Sequence, residues 1–100
     1  MKIRLYQVNT LKAPEKVFVS HAEAGNISLS DYDCNYVGYV DCEDLEAVYR
    51  MFNINQPARY IGRSMSVSDI VEVVESAADA TKRGFYYCDS IGFKYLGEAL

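Results

Sequence analysis

Few side chains in this chain could act as nucleophiles or metal ligands. The sequence has three cysteines, Cys34, Cys42 and Cys88, and one histidine, His21. A zinc site would need all four of these residues, but the sequence contains no C-x-x-C pair or other spacing that is typical of zinc ligands. A Cys–His nucleophile pair would also need an acidic residue to orient the histidine, and no orienting acid is recognisable near His21. We therefore interpret the cysteines as reduced and mostly buried thiols.

Carboxylates and serines do not form a clearer catalytic set. Glu72 and Asp89 could make an acid–base pair if folding brought them together. A solvent-exposed strand face accounts for Glu72 and capping of a turn accounts for Asp89, so we favour structural roles for both. The serines at 64, 66 and 68 alternate before a strand, as is typical of hydroxyls that bond the backbone of a turn, and the scattered glycines form no phosphate-binding loop. We predict no catalytic residue, no cofactor and no metal, and hence a protein that is not an enzyme.

Length and charge restrict the class of protein. One hundred residues can form one domain with a single hydrophobic core. The formal net charge is −4 and the sequence has no basic stripe, which argues against direct nucleic-acid binding because neutralising phosphates requires clustered Lys and Arg. No apolar run approaches the roughly 20 residues that span a bilayer, and the alternating N-terminal residues do not resemble a signal peptide. We expect a cytoplasmic protein without a membrane segment.

The order of apolar and turn residues predicts an α+β fold, with a mostly antiparallel sheet of about five strands and one principal helix packed on one face. In the first strand, Ile3 and Leu5 should face the same side of the sheet. The turn 89–92 should close a hairpin in which Gly92 adopts the left-handed conformation. The connection 76–84 should be exposed and should tolerate insertions. The segments with strand patterns are 2–8, 16–20, 36–40, 69–75, 85–88 and 93–96.

The clearest helix runs from about 42 to 52. Its apolar side chains recur at i, i+3, i+4 and i+7, and they should pack as one stripe against the core. The residues of this stripe are Leu45, Val48, Tyr49 and Phe52. Asp41 should cap the N-terminus, and the acids of the first turn, Glu43, Asp44 and Glu46, match the positive end of the helix dipole. The helix should end in a left-handed conformation at Asn53 or Asn55.

Tyrosine is the remaining signal of a binding surface. The nine tyrosines of the chain are too many for a small core to bury with every hydroxyl satisfied. Tyr86 and Tyr87 are neighbours on one strand and must face opposite sides, so at least one side of that hairpin should carry aromatic surface. Packing within the sheet is the default interpretation, and a protein interface is the alternative, because tyrosine is enriched at interfaces. The predicted protein-binding residues are Glu43, Asp44, Glu46, Tyr86 and Tyr87.

Four segments together resemble one protein family. These are Met1–Gln7, the helical segment Asp41–Tyr49, the segment Gly62–Val74 and the turn Asp89–Lys94. In residue types and spacing they are similar to the YodL-like domain family, and the resemblance covers nearly the whole chain as a single domain, 1–100. It implies no catalytic residues. It implies a setting instead, because members occur in Gram-positive bacteria on conjugative elements, plasmids and prophages, and as modules of large mobile-element proteins.

The resemblance and the residues together suggest a function in protein binding. We expect a non-enzymatic protein that is carried by a mobile element and modulates a host or competing-element protein. The sharpest version is an antidefence inhibitor, anti-CRISPR-like or antirestriction, that acts on a nuclease. The acids of the helix start would be attracted to a basic phosphate-binding channel, and exposed tyrosines would add contact area.

Two other functions and a homodimeric state are left open. A nucleic-acid-binding regulator could use Arg59, Arg63, Lys82 and Arg83 if the fold brings them together. A small-molecule-binding domain, or an enzyme not yet characterised, would need a deep pocket lined by convergent polar groups. An exposed edge strand could also make the chain a homodimer.

Overall fold

The computed structural model describes residues 1–77 and 81–100, which form a five-stranded sheet with the order β2-β1-β3-β4-β5. Every neighbouring pair of strands is antiparallel. This arrangement confirms the predicted α+β class with one main helix. The strands are β1 (Lys2–Val8), β2 (Tyr32–Tyr39), β3 (Ile70–Glu75), β4 (Gly84–Cys88) and β5 (Phe93–Gly97). The α-helices are α1 (His21–Ala24) and α2 (Leu45–Ile54), and two short 3-10 helices span Pro14–Lys16 and Leu29–Asp31.

One face of the sheet, the helix face, packs against α2. Alternation along β1 places Ile3 and Leu5 on this face, as predicted, where both are fully buried. From α2, Val48 and Phe52 reach the same apolar cluster because they lie four residues apart and therefore on one side of the helix. The cluster also contains Val40, Met65, Val71, Val73, Tyr86 and Cys88.

The principal helix begins later than predicted. Its N-cap is Asp44, whose Oδ1 accepts a hydrogen bond of 2.8 Å from the backbone N–H of Ala47, so the assignment of Asp41 as the cap is wrong. The helix does end at Asn55, but with φ −139° rather than in the predicted left-handed conformation, and the N–H of Asn55 donates to the carbonyl of Met51. Among the described residues, no helix is long and apolar enough to cross a membrane.

The second face of the sheet is partly covered by residues 9–31, which we call the strap. The predicted strand 16–20 is wrong, because Pro14–Lys16 forms a 3-10 turn and Phe18 has a φ of 62° that no strand allows. Apolar contacts hold the strap against the strands. Residues Val19, Ala24, Ile27 and Leu29 form a cluster with Ile70, Phe85 and Tyr87.

Hydrogen bonds between distant residues fix the strap in place. The N–H of Phe18 donates to Ser68 Oγ at 3.1 Å, and the N–H of His21 donates to Asp89 Oδ1 at 3.1 Å. Within the strap, Lys16 Nζ donates to two backbone carbonyls. Three layers therefore result, with α2, the sheet and the strap in that order.

A buried polar cluster, the Gln7 cluster, closes one end of the molecule. Gln7 is fully buried in β1, and its Nε2 donates to Arg63 O and to Asp69 Oδ2, both at 3.0 Å. Its Oε1 accepts from Asn35, Tyr60 and the N–H of Arg63. One side chain thereby connects β2 and the loop before β3 to β1.

The β4–β5 hairpin has the predicted turn. The N–H of Asp89 donates to the carbonyl of Gly92 at 2.9 Å, and Gly92 has a φ of 69°, which confirms the left-handed glycine. At the other end of β4, the predicted exposed connection 76–84 can be described only in part, because its residues 78–80 lie outside the described residues.

Candidate protein-binding surface

The two tyrosines predicted to form a binding surface are buried. Tyr86 is 8% exposed and Tyr87 is 1% exposed, so the prediction of aromatic surface at these positions is wrong. The physical reason is that α2 covers the face that carries Tyr86 and the strap covers the face that carries Tyr87. Their hydroxyls donate to the carbonyls of Lys82 and Val19, at 2.7 and 2.5 Å. Burial raises the pKa of Tyr87 to about 12.

The three predicted acids are exposed, but they do not converge on one hollow. Glu46 lines a cleft between α2 and the β4–β5 hairpin, whereas Glu43 lines a separate hollow beside Met1 and Val40. The Asp44 carboxylate is already engaged as the N-cap of α2. Among the described residues, the one ion pair lies elsewhere and does not involve these acids. Of the three, Glu46 is the acid that lines the cleft beside the β4–β5 hairpin.

This surface, the helix–hairpin cleft, is shallow. Its volume is about 240 Å³, small beside the pockets of a few hundred Å³ and more that usually enclose ligands. The helix α2 contributes Glu46 and Tyr49, which lie three residues apart on one side of the helix. The remaining lining residues are Val67, Cys88, Asp89, Ser90, Gly92 and Phe93.

Exposed apolar side chains border the cleft. Ile91 lies at the tip of the hairpin turn, between two lining residues, and is 92% exposed. Tyr49 is also exposed, although the helical spacing predicted that it would pack in the core. Neither residue was predicted from the sequence to belong to a protein-binding surface. The position of Ile91 inside a four-residue turn was a usable signal, because such a side chain has no strand or helix to cover it.

The helix–hairpin cleft is lined by acidic side chains. Asp89 Oδ1 accepts hydrogen bonds from the backbone N–H groups of His21 and Ser90, and these bonds lower the pKa of Asp89. Asp89 is therefore charged at neutral pH, and Glu46 is a second acidic residue of the cleft. Burial, followed by the nearby acids, raises the pKa of the Cys88 thiol to about 12, so Cys88 stays protonated there and is not an activated nucleophile.

The other cysteines do not show activated thiols either. Cys34 is exposed, which corrects the expectation of mostly buried thiols, and Cys42 is half-buried. Partial burial raises the pKa of both, so neither is a thiolate at neutral pH. Within residues 1–77 and 81–100, no three His, Cys, Asp or Glu side chains are grouped so that they could hold a metal ion.

The four basic residues considered for nucleic acid lie at opposite ends of the sheet. Arg63 Nη2 donates to the carbonyl of Val8 at the end of β1, and Arg59 belongs to the same loop. Lys82 and Arg83 precede β4, at the end of the sheet where β1 begins, and Lys82 Nζ lies 4.0 Å above the ring of Tyr95. The length of β1 separates the two pairs by about 20 Å. The fold therefore does not bring them into one basic patch.

Glu72 and Asp89 are also kept apart. Glu72 Oε1 accepts hydrogen bonds of 3.0 Å from Arg4 Nη1 and from the hydroxyl of Tyr6, on the strap side of the sheet. Asp89 follows the far end of β4, beyond the strand residue Phe85 that pairs with Glu72. Each carboxylate has its own local partners, and they do not form an acid–base pair.

Comparison with known proteins identifies the family. No curated protein and no solved structure matches the chain significantly. The YodL-like domain matches residues 2–98, a span that contains every strand and both α-helices. This match confirms the resemblance carried by the N-terminal strand, the helix, the segment before β3 and the final hairpin. The chain belongs to the YodL-like domain family.

Proposed function

We propose that the chain is a non-enzymatic protein-binding modulator carried by a mobile element, and that it binds its partner at the helix–hairpin cleft. The observation that carries this proposal is the juxtaposition of acidic residues with exposed apolar side chains. Glu46 and Asp89 line the cleft that Tyr49 and Ile91 border. A protein interface commonly has this composition, with apolar anchors inside a polar rim.

The apolar side chains would supply contact area. Ile91 is held at the tip of a turn that is closed by the Asp89–Gly92 backbone hydrogen bond and by the Asp89 carboxylate. A side chain on a fixed turn loses little freedom on binding, so more of its burial appears as affinity. Tyr49 would add an aromatic contact on the adjacent side of the cleft.

The carboxylates would select a basic partner. Glu46 is exposed, and the lowered pKa of Asp89 keeps that carboxylate ionised at neutral pH. A basic channel that normally holds phosphates would be attracted to this surface, and the mobile-element setting implied by the family makes a host defence nuclease the sharpest target. Two carboxylates and a net charge of −4 suit a local contact better than imitation of a long stretch of DNA.

The test is capture from the lysate of a Gram-positive host with matched variants. Ile91→Ser and Glu46→Lys change the cleft. Leu11→Ser and Glu15→Lys are their controls, because Leu11 is 93% exposed, Glu15 is exposed, and both belong to the strap and do not line the cleft. We expect a captured protein that survives nuclease treatment of the lysate, is lost with the cleft variants and is kept with the controls.

Two further outcomes separate the parts of the proposal. Capture that the cleft variants do not reduce would contradict the cleft, and recovery that vanishes on nuclease treatment would favour nucleic-acid binding. If the partner is a nuclease, the wild-type chain should slow its DNA cleavage in a purified assay and Glu46→Lys should not. A partner without nuclease activity would contradict the antidefence version and leave protein binding intact.

The acids at 43 and 44 need separate treatment. Asp44→Lys would remove the N-cap as well as the charge, at a cost of about 1 kcal/mol of stability. Asp44→Ser removes the charge and keeps a capping oxygen, so it tests the charge alone. Glu43→Lys tests whether the acidic contact extends beyond the cleft, because Glu43 borders a different hollow.

A further inference from the structure

The outer edge of β2 carries backbone groups that are available for pairing. β2 lies at one end of the sheet. Met1 and Val40 exchange both backbone hydrogen bonds, at 3.0 and 2.8 Å, which makes them a hydrogen-bonded pair of the β1–β2 ladder. Such pairs alternate along antiparallel strands, so Gly38 also bonds β1 while Val37 and Tyr39 direct their N–H and C=O groups outward.

The side chains at these outward positions are exposed and partly fixed. Val37 is 56% exposed and Tyr39 is 68% exposed, on the part of the sheet face that the strap leaves open. The Tyr39 hydroxyl donates to Glu75 Oε2 at 2.9 Å, and Lys2 Nζ lies 5.6 Å from its ring centre. Because these contacts already restrict Tyr39, a partner strand would order it at little entropic cost.

The two edges of the sheet differ in their protection against pairing. β5 has five residues, carries Lys94 at its second position, and is tied to the segment before β4 by the bond from the Tyr95 hydroxyl to Arg83 O. β2 has eight residues and contains no lysine, arginine or proline. Edge lysines, prolines and short strands are the usual devices against edge-to-edge association. β2 lacks all three of them.

Positive and negative side chains beside β2 are equal in number, which favours contact with a second copy of the same chain. The open sheet face next to Val37 and Tyr39 carries two cations, Lys2 and Arg4, and two carboxylates, Glu72 and Glu75. This face is therefore neutral in a chain with a net charge of −4. A two-fold contact places like surfaces together, so a neutral surface avoids the repulsion that the acidic helix–hairpin cleft would cause.

We propose that two copies associate through antiparallel pairing of their β2 edges about a two-fold axis at Gly38. Val37 of each copy then pairs with Tyr39 of the other, and all the outward backbone groups of both residues are used in four hydrogen bonds. At the axis the two Gly38 residues form a pair without hydrogen bonds, whose Cα atoms approach to about 4.5 Å. The helix–hairpin cleft lies away from this edge and stays free.

The first test removes an outward donor. Val37→Pro deletes an N–H that β1 does not use, whereas Val37→Thr keeps both the N–H and the β-branched shape. Sedimentation velocity over a concentration series reaching about 1 mM should show a wild-type dimer, and Val37→Pro should weaken its association about tenfold or more. Val37→Thr should associate like the wild type, and circular dichroism reports whether each variant is folded.

The second test determines the register of the two paired β2 strands, and it uses cysteine substitutions instead of proline. In a Cys34→Ser background, the double variant Val37→Cys with Tyr39→Cys should form a disulfide-linked dimer, because paired residues bring their Cα atoms to about 5.5 Å. Neither single variant should form this disulfide. Residue 37 of one copy lies diagonally across from residue 37 of the other, at a distance of about 7–8 Å. A monomer at every concentration, a dimer that Val37→Pro leaves intact, or equal cross-linking by a single variant would overturn the proposal.

Discussion

The two faces of the sheet are covered in different ways. On the helix face, α2 adds Val48 and Phe52 to a continuous apolar cluster, and the contact depends on side-chain volume. On the other face, the strap contains one four-residue helix and is fixed by bonds such as Phe18 N–H to Ser68 Oγ. The helix face should therefore supply most of the stability, whereas the strap is a covering layer held at a few points.

The largest effect should follow a cavity in the helix face. Phe52→Ala should lower the free energy of unfolding by about 3–5 kcal/mol, because a fully buried aromatic ring is lost and its neighbours can fill the space only in part. Urea unfolding measures this change. Ile54→Ala, at an exposed position of the same helix, is the control and should shift stability by no more than about 0.5 kcal/mol.

The next effect should come from the Gln7 cluster, which closes the helix face with polar groups. Gln7→Leu has similar volume but removes one hydrogen bond each from Asp69 and Tyr60. It also leaves the Asn35 amide and the Arg63 N–H without their acceptor. We expect a loss of about 2–4 kcal/mol in urea unfolding. A loss as small as that of an exposed substitution would mean that the cluster only fills space and does not tie the loop before β3 to β1.

A third test uses pH, because Asp69 is a fully buried carboxyl group in the Gln7 cluster. Burial raises the pKa of Asp69 from 3.8 to about 6, although bonds from Gln7 and Ser66 act in the opposite direction. The folded state then holds the proton more tightly than the unfolded chain. The stability gained from protonation is therefore present at low pH and is lost as the pH rises from about 4 to about 6, by on the order of 2–3 kcal/mol.

The matched variant for this test is Asp69→Asn, which keeps an acceptor for the same bonds and cannot ionise. The difference in unfolding free energy between the wild type and Asp69→Asn should change over pH 4–6, in favour of the variant as the pH rises, and be constant above that range. A pH-independent difference would show that Asp69 titrates alike in the folded and unfolded states. Contributions from groups such as Asp89 cancel in this comparison.

The smallest effect should come from one attachment point of the strap. Tyr87→Phe removes the bond from its hydroxyl to Val19 O and should cost about 1 kcal/mol. Amide hydrogen exchange should show faster opening within the strap and little change in α2. Uniform acceleration across both layers would contradict the idea that the strap opens separately from the helix face.

Sequence reasoning predicted the helix face well because its signals are local. The spacing of Leu45, Val48 and Phe52 placed α2, and alternation placed Ile3 and Leu5 on the correct side. The start of the helix was placed too early because Asp41 and Asp44 are both of a residue type that can cap a helix. The bond from Ala47 N–H to Asp44, rather than residue type, decides which of them does.

The strap and the candidate site were less predictable because they depend on distant partners. A strand was predicted at 16–20, but the bond of Phe18 to Ser68, fifty residues away, accompanies a left-handed backbone at Phe18. Tyr86 and Tyr87 looked like surface residues because the layers that cover them, α2 and the strap, lie far from them in sequence. Glu46 was identified, but its neighbour across the cleft, the 89–92 turn, became visible only in the fold.

The position of β1 in the sheet has a consequence for how the chain folds. β1 is synthesised first and lies inside the sheet, where Tyr6 pairs with Ile70 and Lys2 pairs with Glu75. Until the ribosome has released the last third of the chain, β1 can pair only with β2 and keeps one edge unpaired. Contacts between such distant residues slow folding to the order of milliseconds to seconds in small domains. The nascent chain therefore passes through an interval in which an apolar strand is open to aggregation or chaperone binding, and β3 ends that interval.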